Sequence, residues 1–170
     1  MWGGVAVAAG LAGAGWRGWS ENRKLAAQDA ATGGLWQMSF AAPDEGQPEV
    51  VMQSFRGQPL LLNFWGSWCP PCVLEMPDLD RFAKSHATQG WRVLGLAVDN
   101  PKAVREFLTR APVSYTIGLA GFEGAELTRR LGNSQGGLPY TVAFNAMGDI
   151  VHRKAGQTHL EELQQWARTL

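Results

Sequence analysis

Apolar positions along this chain keep two rhythms, and the places where one gives way to the other mark out the elements. Leu60 to Trp65 (LLLNFW) and Trp91 to Val98 (WRVLGLAV) are near-continuous apolar runs, the pattern of strands buried on both faces. Tyr140 to Asn145 (YTVAFN) and Ile150 to Lys154 (IVHRK) alternate on either side of Met147-Gly148-Asp149, which predicts a hairpin. Tyr115 to Leu119 is a shorter strand. Leu35 to Phe40 and Glu49 to Phe55 are two more strand-like runs, and Pro43, Asp44, Glu45, Gly46 and Pro48 between them predict an earlier hairpin. Helical signals begin after the first buried strand. Pro70 and Pro71 open a helix, because their missing N–H groups would be unpaired in its first turn anyway. It is expected to reach about Ala87, with Pro77 kinking it. Pro101 starts a second helix through about Arg110, Glu123 to Leu131 a short third one stopped by Gly132, and His159 to Leu170 an amphipathic last one. After the first hairpin the order is β-α-β-α-β-α-β-β-α. Parallel crossovers followed by an antiparallel hairpin imply an α/β fold, a mixed central sheet flanked by helices on both faces.

Length and charge narrow the picture. The 170 residues suffice for one domain with a substantial core and some extra sequence. Lys and Arg balance Asp and Glu at 15 each, so nothing suggests nucleic acid as a partner. Trp2 to Trp16 (WGGVAVAAGLAGAGW) is 15 residues without a charge. A spanning helix needs about 20 apolar residues and a signal-peptide core about 7 to 15. The run fits the second range, but it is Ala/Gly-rich and its basic residues, Arg17, Arg23 and Lys24, lie on the far flank. Residues 1–17 are therefore expected to be an export signal or membrane anchor, complete or clipped, with a packed or disordered Ala/Gly tail as the alternative. Residues 18–34 (GWSENRKLAAQDAATGG) read as a polar linker, and 35–170 as the folded domain.

Candidate chemistry is concentrated at one place. Asn63 to Pro77 (NFWGSWCPPCVLEMP) contains both of the chain's cysteines, Cys69 and Cys72. On the predicted elements Cys69 caps a helix and Cys72 is its third residue. A thiol at a helix N-terminus sees partial positive charge, which stabilises the thiolate, the nucleophile of disulfide exchange. Cys69 would attack and Cys72, within the same turn, would resolve the mixed disulfide. Other readings stay open. Two core cysteines are one, although the Pro-Pro pair and the helix cap argue against burial of Cys69. Half a zinc site is another, although zinc needs four ligands and only His86, His152 and His159 could help. A structural disulfide would close too small a loop to stabilise much.

The whole segment resembles the active-site region of the thioredoxin superfamily: Phe64-Trp65, then Trp68-Cys69-Pro70-Pro71-Cys72, then Pro77. Gly137-Leu138-Pro139-Tyr140-Thr141 is similar to that family's loop with a cis-proline. The resemblance implies a thioredoxin-like fold with an N-terminal β-hairpin extension. It implies catalysis by Cys69 and Cys72 and substrate contact at Trp68, Pro70, Pro71, Leu138 and a cis Pro139. The stretch NFWGSWCPPCVLEMP with Phe55-Arg56-Gly57 most resembles the exported, membrane-tethered TlpA/ResA-like branch, which includes cytochrome c maturation reductases. Thioredoxins carry a buried Asp where this chain has Asn63, which cannot accept a proton. Glu75 matches an acid near the site in the ResA-like branch. There it would be buried, with a raised pKa, and would take the Cys72 proton; a surface Glu75 complementing the helix N-terminus is the alternative.

A protein thiol-disulfide oxidoreductase is expected, reducing disulfides of exported proteins at the outer face of the cytoplasmic membrane, with cytochrome maturation one candidate role. Pro70 and Pro71 lack the amides that solvate a cap thiolate, which favours the disulfide form and hence a reductant. The couple needs no cofactor and no metal, but it does need a membrane or soluble dithiol donor. A monomer tethered to the membrane by its N-terminal segment is expected. The rivals are an oxidase or isomerase on the same scaffold and a copper-binding assembly chaperone; relatives of the latter kind resemble CxxxC rather than the CxxC found here.

Overall fold

The computed structural model describes residues 23, 24, 26, 27 and 29–169. The proposed signal or anchor, residues 1–17, lies outside the described residues. Among the described residues no helix is long and apolar enough to cross a membrane.

The first hairpin is shorter than its apolar pattern predicts. Only Ser39–Phe40 (β1) and Val50–Val51 (β2) pair, antiparallel; Leu35–Gln37 and Met52–Phe55 are 3-10 turns. The reason is the core. Leu35 and Trp36 are consecutive and both buried, whereas a strand would send one of two neighbours outward. The hairpin lies against an edge of the main sheet, where Leu119 N–H donates to Ala41 O at 2.8 Å.

The main sheet follows the predicted order closely. Its strands are Leu60–Trp65 (β3), Arg92–Ala97 (β4), Thr116–Leu119 (β5), Tyr140–Phe144 (β6) and Ile150–Ala155 (β7), arranged β5-β4-β3-β6-β7. The β3–β4 and β4–β5 pairs are parallel, and β3–β6 and β6–β7 antiparallel. Helices Pro70–His86 (α1), Pro101–Arg110 (α2), Gly124–Arg130 (α3) and Leu160–Arg168 (α4) make the connections and close the chain. Helix α1 runs on through Pro77. Asn100 caps α2 by accepting from Ala103 N–H at 2.9 Å.

Central strand β3 feeds two separate apolar clusters, because its successive side chains alternate between faces. Leu60, Leu62 and Phe64 join Trp36, Met52 and Leu127 of α3 on one face. Leu61 and Trp65 join Leu79 of α1, Phe107 of α2 and Leu163 of α4 on the other. Asn63, the only polar residue of β3, shares the second face and therefore looks toward α1. That single polar position sits under α1.

Candidate active site

Strand β3 ends at Trp65, and Gly66-Ser67-Trp68-Cys69 leads directly into α1. Cys69 is the N-cap and Cys72 the third helical residue, as the spacing predicts. The two sulfurs form a disulfide, with 2.06 Å between Sγ atoms and 5.3 Å between Cα atoms. Sequence alone argues against burial of Cys69, and here the structure differs: Cys69 is 4% exposed and Cys72 fully buried. Cys69 belongs to the apolar cluster that also holds Trp65, Cys72 and Met76. Proline rings fill the first two positions of α1, so the Cys72 amide is the first N–H the helix can present to the cap.

The approach loop is held by strand β4's continuation. Asp99 is buried, and its Oδ2 accepts from Ser67 N–H at 2.8 Å and Ser67 Oγ at 2.7 Å. The Trp68 indole donates to Val98 O at 3.2 Å and folds back over Gly66, where any Cβ would stand 2.7 Å from Nε1. Gly66 is there for that close approach. Trp68 itself remains 60% exposed beside Cys69, and Pro70 is exposed as well.

One turn after Cys72, Glu75 is fully buried, which excludes the surface alternative. Its Oε1 accepts from Asn63 Nδ2 at 2.6 Å; its Oε2 accepts from Thr158 N–H at 2.7 Å and Thr158 Oγ1 at 2.8 Å. Burial pushes the Glu75 carboxyl above its ordinary value, while Thr158, Asn63 and Lys154 pull it back only in part. Asn63 also donates to Thr141 Oγ1 at 3.0 Å. It therefore orients an acid rather than replacing one. Tyr115, buried in the same cluster, has its phenol pushed far above the ordinary value by burial, reinforced by the charges of Glu75 and Asp80.

The Leu138–Pro139 peptide bond is cis. The Phe64↔Tyr140 register puts Pro139 level with the end of β3, next to the loop that leads to Cys69. Pro139 is buried, and its carbonyl accepts from Gly156 N–H at 2.9 Å; Leu138 and Pro71 are half-buried. The histidines lie elsewhere. His86 stacks on Phe82 at the far end of α1, His152 stacks on Trp166, and His159 caps α4. Among the described residues no three His, Cys, Asp or Glu side chains converge as a metal site.

Sequence reasoning missed Asp99, Thr141 and Thr158. Asp99 follows a buried strand at the end that faces the site, a signal that could have been used. Thr158 carries no local signal, since it lies in a connection 83 residues from the carboxylate it contacts.

The Redoxin family profile matches residues 29–167. Thiol-disulfide oxidoreductase ResA of Bacillus thuringiensis subsp. konkukian (strain 97-27) is 23% identical over 133 residues, which cover 78% of this chain and 75% of that protein. The structure of MTB dsbF in its mixed oxidised and reduced forms superposes with a TM-score of 0.67 at 25% identity, covering 79% of this chain and 96% of that one. A secreted Mycobacterium tuberculosis disulfide oxidoreductase homologous to E. coli DsbE shares the fold, with a TM-score of 0.64 at 21% identity over 79% of this chain and 97% of that one.

Proposed function

The chain belongs to the Redoxin family, within the thioredoxin superfamily, and we propose that it runs as a reductase of disulfides in exported proteins. It is a thioredoxin-like thiol-disulfide oxidoreductase whose redox couple is Cys69–Cys72. The observation that carries the direction is the pair of prolines at the start of α1, which withholds two amides from the Cys69 thiolate. A less stabilised thiolate makes the dithiol the better electron donor.

In the reduced protein the Cys69 thiolate attacks one sulfur of a substrate disulfide. A mixed disulfide forms, and the other substrate sulfur leaves as a thiolate that takes a proton from water. Cys72 then gives its proton to Glu75 and attacks the Cys69 sulfur. The Cys69–Cys72 disulfide forms, and the second substrate sulfur leaves as a thiolate that takes a proton from water. Glu75 gives its proton back to water, and two electrons have passed to the substrate. Glu75 suits this task because it is buried one turn from Cys72 and holds its proton more readily than an exposed carboxylate. Trp68, Pro70, Pro71, Leu138 and Pro139 would contact the extended substrate segment.

We place the protein outside the cytoplasm, tethered through residues 1–17, where a separate dithiol donor would regenerate it. The uncharged N-terminal run and the secreted relative support this location. Apocytochrome c is one candidate substrate, through the likeness to the TlpA/ResA-like branch.

The test is a trap. Reduced Cys72→Ser protein, mixed with oxidised exported proteins, should accumulate mixed disulfides at Cys69 that a reducing agent releases. The Cys69→Ser variant should accumulate none. Equal capture by both variants would remove Cys69 from the attacking role.

A further inference from the structure

Four hydrogen-bonded contacts close a circuit around the redox helix. Asn63 on β3 reaches both Glu75 Oε1 and Thr141 Oγ1, and Thr141 lies two residues beyond Pro139 on β6. The Pro139 carbonyl takes the Gly156 amide at 2.9 Å. Two residues later, Thr158 returns to Glu75 Oε2 with both its amide and its hydroxyl. Gly156 turns there with φ +92°, a conformation that side chains disfavour, so glycine is required at the bend. The same connection also meets α1 one turn on, where Leu160 N–H donates to Asp78 Oδ2 at 3.2 Å. The segment from Gly156 to Thr158 is thus a strap between the cis-proline loop and the buried acid.

The strap makes the two oxygens of Glu75 unequal. A carboxylate oxygen has two in-plane lone pairs, and both on Oε2 are taken by Thr158. Oε1 has one donor, Asn63, and one lone pair left. We propose that Thr158 is a positioning residue of the redox site: it anchors Oε2, leaves Oε1 as the oxygen that takes the Cys72 proton, and joins that acid to the loop carrying Pro139. This rests on the reading of Glu75 as the proton acceptor of Cys72. The titratable and charged groups around Glu75 are Cys72 on its own helix, Lys154 on β7 and Tyr115 ahead of β5; Lys154 is itself paired with Glu162 on α4.

The experiment follows Cys72 alone. The reduced full chain is mixed in stopped flow with an aromatic disulfide whose thiolate absorbs visible light. Cys69 releases the first thiolate at a rate that scales with reagent; Cys72 displaces the second at a rate that does not. Because Cys72 needs ionised Glu75 to accept its proton, the second rate should rise with pH through the Glu75 titration. Removing the Thr158 hydroxyl takes a donor from the charged form, so Thr158→Val should move that inflection upward by about one pH unit. Thr158→Ala, which adds no bulk, should do the same and decides the matter if the valine variant does not fold. Thr158→Ser should restore the wild-type profile, and the first, reagent-dependent phase should be unchanged throughout. An unmoved inflection in the valine and alanine variants, alongside its loss in Glu75→Gln, would overturn the role of Thr158 and leave Glu75 standing. An inflection that survives in Glu75→Gln would remove Glu75 as the acceptor and the present proposal with it.

Discussion

Glu75 and Asn63 form a donor–acceptor pair 2.6 Å apart, and both side chains are fully buried. The raised pKa of Glu75 fixes the sign of its effect on stability. The folded chain binds this proton more tightly than the unfolded chain, so the contribution is present below the ordinary value of 4.5 and is lost as pH climbs through the folded value. Urea midpoints of the wild type should fall across that window, and Glu75→Gln should flatten the fall; parallel curves for the two proteins would refute the assignment. The thioredoxin-like substitution Asn63→Asp tests the pair from the other side. Two carboxyls at this distance cannot both ionise, and the lost donor leaves Glu75 with less support. At pH 7 the variant should lose about 3 kcal/mol of unfolding free energy, and much of the loss should return at pH 5. Chemical denaturation at the two pH values measures this directly.

Helix α1 is joined to its surroundings by more than apolar packing. Asp80 Oδ1 accepts from Ser114 N–H and Ser114 Oγ, each at 2.6 Å, and so ties the helix to the segment ahead of β5. Burial opposes its charge, but the bonds from Lys84 and Ser114 outweigh that and hold its carboxyl below the ordinary value. Its stabilisation is therefore present above the ordinary 3.8 and is lost as pH falls through the lowered value. Asp80→Ala should cost about 2 kcal/mol at pH 7 and much less at pH 2. At the other end of the element, Asp99→Ala should speed amide exchange at Ser67, because the loop before Cys69 loses its acceptor there; unchanged exchange would show that the Trp68 contact suffices. Much of this layer was legible beforehand. Proline and glycine punctuation bounded α1, α2 and α3, and unbroken apolar runs located β3 and β4, since those signals are local. The first hairpin is shorter than its pattern predicts because Leu35, Trp36, Met52 and Phe55 answer to a core assembled from distant segments. Cys69 is buried against the expectation from its helix position for a similar reason: the apolar cluster that takes it in is set by tertiary packing. Thr158 was invisible on the same ground, its partner being set by tertiary packing.

At the scale of the molecule the governing quantity is the reduction potential of the Cys69–Cys72 couple. Equilibration in defined thiol buffers should give a value more negative than about −220 mV, among reductants; a value near about −120 mV would reverse the proposed electron flow and refute the inference from Pro70 and Pro71. The two-sided arrangement of the core shows where that chemistry resides, because Cys69, Cys72 and Glu75 all belong to the face covered by α1, α2 and α4. The small hairpin has its own consequence. Through the Ala41–Leu119 bridge it covers the end of β5, where a second chain could otherwise extend the sheet. The opposite border, β7, carries the exposed Arg153 and the half-buried Lys154, the latter paired with Glu162, and long charged side chains on an edge strand discourage strand-to-strand association. Both margins of the sheet thus carry features that oppose the pairing of one copy's edge with another's.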